Sequence, residues 1–426
     1  MNVGVIMYQT SQSKGQELVA QRMTAELNRQ GHRAYLITSR FHDSRPVISK
    51  LELRSSGGAV LRDNDILGIP VVRVGSSLAE WPPRRVNFDN FVATLDRLVV
   101  ELDLEALITH STLWNGPELV ARYVAWSRKM SLEASDRDPP IFCHMSHYQP
   151  PVAGRYSLRE RTYREVWNEH SLARVVKEAD LLLVTTPAAG RAMVDLGARK
   201  DRFFVFPGGI MIPAEMTAKE LDRFREERGI PVAKLISYLG TMEERKNPMA
   251  ILAVAERVRH RRDVHFVLAG KVEGGYGARV RKASRHLDNV SVLGEVSEVE
   301  KSSLIRSSYL NLTMSRLEAL GLAQLEFMSA GVPVITSGVG GQSWVVHDGT
   351  TGAVLQGPDD VEGAAQAVLQ LSENEGRRNQ LARNAREFAS GFSMAHLIEG
   401  LTLRLQAIRE KAQAENAAAR RQSPSS

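Results

Sequence analysis

The feature that most constrains the fold is the alternation of short apolar segments with helix-length amphipathic segments. An apolar segment ends near Met7, a helical pattern follows and stops at Gly31, and a second apolar segment occupies residues 34–38. A strand, a helix and a strand in so short a span predict a βαβ unit, which requires a parallel sheet covered on both faces. The same pattern predicts further strands in the first half of the chain, at residues 106–108, 141–143 and 181–184.

A second series of the same kind begins after a break at residues 206–209, which read Phe-Pro-Gly-Gly. Apolar segments there predict five more strands, at residues 235–239, 264–268, 290–293, 310–312 and 334–335. Helices are predicted between them, including one at 249–261, and long helical stretches follow at 361–389 and 395–415. Residues 40–85 carry Pro, Gly and Arg and are predicted to form loops and a short hairpin.

These patterns predict an α/β protein with two doubly wound domains, residues 1–206 and residues 207–394. Ligands bind outside the carboxyl ends of the strands in such sheets, so we expect the site in a cleft between the two halves. Residues 395–415 are predicted to form a C-terminal helix, and residues 416–426 are predicted to form a disordered tail.

Composition narrows the class of protein. The chain has 426 residues, 43% of them apolar, which excludes a disordered, collagenous or disulfide-scaffold protein. The single cysteine, Cys143, cannot form an internal disulfide, and no apolar run approaches the roughly 18 residues of a membrane span. We therefore expect a cytoplasmic protein that binds no nucleic acid. The net charge of +6 is interpreted as a solvated basic surface, with a peripheral contact at the inner membrane face left open.

Several common motifs are absent from the sequence. There is no G-x-x-x-x-G-K-[ST], G-x-G-x-x-G, H-E-x-x-H or G-x-S-x-G. Two Asp-x-Asp triplets, at residues 63–65 and 136–138, have the spacing to hold a divalent ion. Both are interpreted as solvated turns in polar loops, so the sequence predicts no metal site and no cofactor.

The most specific motif is a pair of glutamates, Glu318 and Glu326, separated by seven residues and followed by Ala-Gly-x-Pro-Val-Ile at residues 330–335. It resembles the signature of the retaining glycosyltransferases of family 4, which have the GT-B fold of two facing Rossmann-like domains. Weaker resemblances to the same family lie at residues 14–17, 31–32, 206–210, 239–248 and 340–352.

The resemblance implies transfer of a hexosyl unit from a UDP-, GDP- or ADP-linked sugar to a hydroxyl acceptor. In that scheme Arg245 and Lys246 stabilise the leaving diphosphate without a metal, because cations and preorganised donors can offset developing charge. Glu326 binds the donor ribose and Glu318 faces the transferred sugar. The resemblance also implies that the C-terminal helix at residues 395–415 packs back on the first domain. The implied donor-binding residues are Gly15, Arg245, Lys246, Glu318, Gly321, Leu322 and Glu326.

Histidines follow two of the predicted strands in the first half. His110 ends one of them, and His144 and His147 end the next, so all three are expected at the carboxyl edge of the sheet. By resemblance His147 is assigned a catalytic role beside the sugar, with His144 as the alternative. The assigned acceptor-binding residues are His110, His144 and Tyr148. Arginines at 155, 159, 161 and 164 are interpreted as a solvated helix, with an acidic or phosphorylated acceptor as the alternative.

The chain departs from the family pattern at Ala319, Thr241 and Trp344, where glycine, arginine and glutamate are usual. These changes leave the donor sugar open. The alternatives to a transferase are a GT-B sugar-nucleotide epimerase and a non-catalytic nucleotide-sugar-binding relative that acts as an assembly partner. The acceptor is equally open, and small molecules, glycans and lipid-linked molecules all fit.

Overall fold

The structure is a computed structural model, and it describes residues 1–11, 15–78, 86–112, 114–133, 138–147, 158–272, 274–318 and 320–422. The chain divides into two compact units. Unit 1 comprises Met1–Gly209 with Met394–Ser426, and unit 2 comprises Ile210–Ser393. The boundary predicted from the sequence, between residues 206 and 207, lies three residues before this division.

Unit 1 is an α/β unit built on a largely parallel sheet. Its strands are β1 (Asn2–Met7), β2 (Arg33–Ser39), β3 (Phe41–His42), β4 (Arg45–Pro46), β5 (Ala59–Ile66), β6 (Ile69–Val74), β7 (Ser76–Leu78), β8 (Val86–Phe88), β9 (Ala106–His110), β10 (Ile141–Met145), β11 (Leu181–Val184) and β12 (Phe203–Val205). Its first helices are α1 (Gly15–Arg29), α2 (Lys50–Ser55), α3 (Phe91–Glu101), α4 (Gly116–Glu133), α5 (Leu158–Trp167), α6 (Ala173–Glu178) and α7 (Pro187–Val194).

The main sheet of unit 1 has eight strands within the described ranges, in the order β12-β11-β10-β9-β1-β2-β6-β5. All neighbouring strands are parallel except β5 and β6. Every residue of β9 and β10 is buried, as continuous apolar strands covered on both faces require. The strand order reverses between β1 and β9, so the chain builds the sheet outward in both directions from that position.

The prediction of loops and a short hairpin for residues 40–85 was wrong in part. β6 lies inside the main sheet, paired with β2 on one side and β5 on the other. Arg73 made this segment look polar, yet its side chain is only 1% exposed. Hydrogen bonds replace the water lost by the buried guanidinium. Its Nη1 donates to Thr10 Oγ1 at 3.0 Å and to the carbonyl oxygens of Ser39 and Phe41 at 3.1 Å.

Unit 2 is a second α/β unit with a wholly parallel main sheet. Its strands are β13 (Lys234–Leu239), β14 (Val264–Ala269), β15 (Val290–Gly294), β16 (Ser308–Thr313), β17 (Val334–Thr336) and β18 (Gly352–Val354). Its helices are α8 (Ala218–Glu227), α9 (Pro248–Arg257), α10 (Gly274–Ser284), α11 (Glu298–Ser307), α12 (Leu322–Ser329), α13 (Gln342–Val345), α14 (Val361–Glu373) and α15 (Glu375–Ser390).

The described strands of unit 2 follow the order β15-β14-β13-β16-β17-β18. The order reverses between β13 and β16, which pair directly through Leu235–Ser308 and Ser237–Asn311. The carboxyl ends of these two strands therefore flank the position at which open α/β sheets bind their ligands.

The last helix, α16 (Met394–Gln422), belongs to unit 1. It packs on α1, where Gln30 Nε2 donates to the carbonyl oxygen of Ala395 at 2.8 Å. Arg404 Nη2 donates to the carbonyl oxygen of Asp201 at 2.9 Å. The helix continues seven residues beyond the predicted end at 415, so the first part of the segment expected to be disordered is helical.

Candidate functional site

The two cations predicted to contact a diphosphate lie at the reversal point of the unit 2 sheet. After β13 the chain forms a short 3₁₀ turn, Glu244–Lys246, and Asn247 ends it in the left-handed region with φ 54°. Pro248 then begins α9, since proline at a first helical position needs no hydrogen-bond acceptor. This sharp reversal keeps Arg245 and Lys246 at the carboxyl edge of the sheet.

Lys246 and Glu318 form a direct ion pair across the reversal point. Their side chains are only 19% and 13% exposed, so the pair is shielded from much of the solvent. Arg245 lies beside them, because its Nη1 donates to the carbonyl oxygen of Leu317 at 3.2 Å. Its Nη2 donates to Glu243 Oε1 at 2.5 Å. The structure therefore brings together three of the residues singled out in the sequence.

A second ion pair ties the loops of this edge to one another. Arg316 binds Asp359 through two hydrogen bonds of 2.6 and 2.7 Å. Asn247 Nδ2 donates to the carbonyl oxygen of Pro358 at 2.7 Å, and the Arg316 amide donates to the carbonyl oxygen of Arg245 at 2.8 Å. The loops after β13, β16 and β18 thus hold one another in place. Arg316 and Asp359 lie in none of the motifs found in the sequence.

Glycines shape the backbone around Glu318. Gly321 precedes α12 with φ 98°, and Leu322 is the first residue of that helix. Gly340 has φ 68°, and a Cβ at this position would overlap the carbonyl oxygen of Glu318. The Gly341 amide donates to that same oxygen at 3.2 Å. The backbone at Gly340 and Gly341 therefore holds the Glu318 loop in place.

Glu326 is a buried carboxylate in an apolar helix. It is 5% exposed, and its neighbours Leu325, Phe327 and Met328 are fully buried. Its Oε1 accepts a hydrogen bond of 2.9 Å from Nζ of Lys301, on α11. This lysine was not found from the sequence, because it lies 25 residues away on a separate helix.

Tyr238 lies beneath the charged loops. Its side chain is 1% exposed and its hydroxyl donates to the carbonyl oxygen of Thr241 at 3.0 Å. Burial, with the nearby charges of Glu318 and Glu243, raises the pKa of Tyr238 well above its usual value of 10.0. The phenol therefore stays neutral and orders the start of the loop that carries Arg245 and Lys246.

Three histidines meet at the carboxyl edge of the unit 1 sheet. His110 Nδ1 and His147 Nε2 are 3.4 Å apart, and their ring centroids are 5.6 Å apart. His144 Nδ1 lies 2.8 Å from Thr109 Oγ1. The Nε2 atoms of His110 and His144 are buried and have no hydrogen-bond partner among the residues that the structure describes. His110 and His144 are 0% exposed, whereas His147 is partly exposed, so His147 is the more accessible imidazole of the cluster.

The three imidazoles are held in their neutral form. Burial lowers the pKa of His144 to about 3 and that of His147 to about 4. Burial and the two neighbouring imidazoles lower the pKa of His110 well below 6.5. A charged form would lose its hydration, so these side chains suit recognition of uncharged groups better than of phosphate.

The remaining predicted positions are less defined. Gly15 is the first residue of α1 and is exposed, with open space where a Cβ would lie. Tyr148, the third assigned acceptor-binding residue, lies outside the described residues, as do Lys14 and Ala319. Of the arginine cluster, Arg161 is exposed and bonds Glu165 one helical turn away, as a solvated helix requires.

The two Asp-x-Asp triplets differ from expectation in one respect. Residues 63–65 lie within β5 rather than in a loop, because β5 continues as an antiparallel edge strand. Asp136 lies outside the described residues. No group of three or more histidine, cysteine, aspartate or glutamate side chains in the described ranges could hold a metal ion. Within the same ranges, no helix has the length and apolarity to cross a membrane.

Known structures share this architecture across nearly the whole chain. A glycosyltransferase from Rickettsia africae superimposes with a TM-score of 0.69 at 15% identity, covering 96% of this chain and 98% of that one. HepE of Anabaena in complex with UDP gives a TM-score of 0.68 at 17% identity, covering 96% and 100%. The two α/β units therefore define a GT-B fold, that of two Rossmann-like domains.

Family models match both units of the sequence. The model of glycosyl transferases group 1 matches residues 222–388, and that of the glycosyl transferase 4-like domain matches residues 14–209. The chain belongs to the group 1 glycosyltransferases, with a family 4-like first domain, which confirms the resemblance found in the sequence.

Curated relatives agree with this family. The D-inositol 3-phosphate glycosyltransferase of Nocardia farcinica is 28% identical over 311 residues, or 69% of this chain and 65% of the relative. The protein of the same name from Mycolicibacterium smegmatis is 28% identical over 236 residues, or 54% and 53%. The matched part of the chain thus spans between half and two thirds of these relatives' length.

Proposed function

We propose that the protein is a retaining glycosyltransferase that moves a hexosyl unit from a nucleotide diphosphate sugar to a hydroxyl acceptor. The observation that carries the proposal is the meeting of Lys246 and Glu318 where the strand order of unit 2 reverses. Ligands of open α/β sheets bind at that position. Unit 2 would hold the donor, and unit 1 the acceptor.

The chemistry requires charge stabilisation at the leaving group. The bond between the anomeric carbon and the β-phosphate oxygen breaks, the acceptor oxygen takes its place, and the acceptor hydroxyl loses its proton. Negative charge grows on the diphosphate as the bond breaks, so a cation aimed at it gains most in the transition state. Lys246 supplies that cation in our proposal, with Arg245 beside it and no metal ion.

The other residues take roles around this centre. Glu326 would accept hydrogen bonds from the donor ribose, and Glu318 and His147 would contact the transferred sugar. His110 and His144 would bind the acceptor, together with Tyr148. The backbone at Gly15, Gly321 and Leu322 would approach the donor.

The relatives suggest which substrates to test first. The curated relatives are named for D-inositol 3-phosphate, and HepE was solved with UDP and glucose and with UDP-glucose. We therefore place UDP-sugars first among the donors and a cyclitol phosphate first among small-molecule acceptors. Glycan and lipid-linked acceptors are the other proposed substrates, and a lipid-linked acceptor would require a peripheral membrane contact.

The experiment is a transfer assay with UDP-, GDP- and ADP-hexoses against these acceptors, read by mass spectrometry. The anomeric configuration of the product, measured by proton NMR, should match that of the donor. Lys246→Ala should lower kcat on the order of 100-fold or more, since one preorganised contact at developing charge is worth that much. An inverted product would exclude retention. Isomerised donor in the absence of acceptor would identify an epimerase, and donor binding without any turnover a non-catalytic relative.

A further inference from the structure

Lys301 is a shielded lysine near the proposed donor site. It lies in the second turn of α11, with Nζ 2.9 Å from Oε1 of Glu326 and 3.2 Å from Oε2 of Glu298. The side chains of Lys301 and Glu326 are 13% and 6% exposed, whereas that of Glu298 is 72% exposed. Lys301 therefore forms one buried and one surface ion pair.

Stability alone does not account for the buried pair. Removing two opposite charges from water costs several kcal/mol for each ion, and apolar side chains of similar volume are often as stable or more so. The Lys301–Glu326 pair therefore fixes the direction of a buried carboxylate more than it adds stability.

The surroundings hold Lys301 in a fixed place. Ser297 and Glu300 form a complete capping box at the start of α11. Arg228 Nε also donates to Glu300 Oε1 at 2.7 Å, which fastens the first turn of the helix to the end of α8. Both α11 and α12 begin at the carboxyl edge of the sheet, after β15 and β16, so their second turns bring Lys301 and Glu326 together close to that edge.

We propose that Lys301 is a positioning residue that orients the Glu326 carboxylate toward the hydroxyls of the donor ribose. The inference rests on the proposed function and deepens it, because it makes unit 2 selective for ribonucleoside over 2′-deoxyribonucleoside diphosphates. A site built to hydrogen-bond a substrate hydroxyl discriminates against the analogue that lacks it, because that hydrogen bond is then lost.

The test compares four forms of the full chain: the parent, Lys301→Met, Lys301→Arg and the control Glu298→Gln. Calorimetry gives the dissociation constants of UDP, GDP and ADP and of their 2′-deoxy counterparts. The parent should prefer the ribonucleotide, and Lys301→Met should reduce that preference about 10-fold, the value of one charged hydrogen bond. Lys301→Arg should restore most of it, and Glu298→Gln should leave it unchanged.

An unchanged ribonucleotide preference in folded Lys301→Met would overturn the inference, because a purely structural lysine alters stability and not this ratio. Lys301→Gln, which keeps a hydrogen-bond donor and removes the charge, provides the same readout if the methionine variant does not fold. A parent protein that binds none of the diphosphates would contradict the proposed function itself. A parent that binds them without any ribose preference would overturn the inference alone.

Discussion

Lys246 and Glu318 neutralise each other in the free protein. The ion pair is largely shielded, and Arg245 is similarly engaged with Glu243. A diphosphate that binds at this edge therefore competes with Glu318 for the lysine. In the proposed function, separating the pair makes the net free energy of donor binding less favourable. Lys246 then contacts the diphosphate, and Glu318 contacts the transferred sugar.

Glu318→Gln should consequently bind a nucleoside diphosphate, which lacks the sugar, more tightly than the parent does. Freeing Lys246 from a partly shielded ion pair is worth about 1 kcal/mol, or about 5-fold in the dissociation constant. Calorimetry measures this dissociation constant directly. Glu244→Gln is the control, because Glu244 lies in the same turn as Lys246 but is exposed, and the substitution removes the same charge. This variant should bind the nucleoside diphosphate as tightly as the parent does. Weaker binding by Glu318→Gln would show that the pair does not compete with the ligand.

The histidine cluster should make the protein less stable in mild acid. The pKa of His144 is lowered to about 3 and that of His147 to about 4, from 6.5 in the unfolded chain. Below pH 6.5 the unfolded state takes up protons that the folded state excludes, so stability falls as the pH drops toward 4. A drop from pH 7 to pH 5 should therefore lower the free energy of unfolding by about 2 kcal/mol for each of these two imidazoles.

Urea unfolding at the two pH values checks this expectation. His144→Gln should show a smaller loss on acidification than the parent, and His170→Gln, which removes an exposed imidazole of the same unit, should lose as much as the parent. Equal losses in all three proteins would mean that the cluster is protonated in the folded state.

At the scale of elements, the loop after β17 supports the loop after β16. Gly340 and Gly349 both have positive φ, 68° and 65°, but a Cβ at Gly340 would overlap the Glu318 carbonyl oxygen. At Gly349 it would meet only the end of the Arg377 side chain, at 3.4 Å. Both alanine variants should lose roughly 1 kcal/mol to backbone strain. Gly340→Ala should lose more, because its Cβ must also displace the Glu318 loop.

Thermal unfolding of the two variants measures this difference in stability. Gly349→Ala is matched in backbone φ, so it reports the strain without displacement of Glu318. Equal losses of stability in the two variants would show that the Glu318 loop accommodates the added methyl group.

The elements that were predicted correctly are those whose apolar runs are uninterrupted. β14 is buried at all six positions and was predicted almost to its ends. β6 was missed because Arg73 and Pro70 break its pattern, and only the tertiary fold supplies the acceptors that make a buried arginine tolerable. The helical stretch predicted at 361–389 is divided into two helices, because Asn374 caps the second by accepting from the Arg377 amide at 2.9 Å.

In the candidate site, too, the residues that lie in a local sequence motif were predicted and their distant partners were not. Glu318 and Glu326 were found through a local motif, and Lys246 through a short resemblance after a predicted strand. The partners that hold them are distant in sequence and depend on how helices and loops pack. Lys301 contacts Glu326 from another helix, and Asp359 reaches Arg316 from 43 residues away. No sequence pattern marks such contacts.

At the scale of the whole molecule, the proposed reaction needs no metal ion. The cations at the carboxyl edge of the unit 2 sheet are side chains, so turnover should persist in excess EDTA. The measurement is the initial rate of transfer with and without the chelator. Loss of activity that added magnesium or manganese restores would place the diphosphate on a metal ion and would contradict the assigned role of Lys246.

In the proposed function, unit 2 binds a nucleoside diphosphate through Lys246 and Glu326. The most direct test of this binding is metal-free calorimetry of UDP, GDP and ADP with the parent, Lys246→Ala and Glu326→Ala proteins. One diphosphate should bind the parent, and Glu326→Ala should weaken that binding by roughly 1–3 kcal/mol, or about 5-fold to 100-fold. If no diphosphate binds the folded parent, or if both variants bind as the parent does, unit 2 is not a nucleoside diphosphate site built on Lys246 and Glu326.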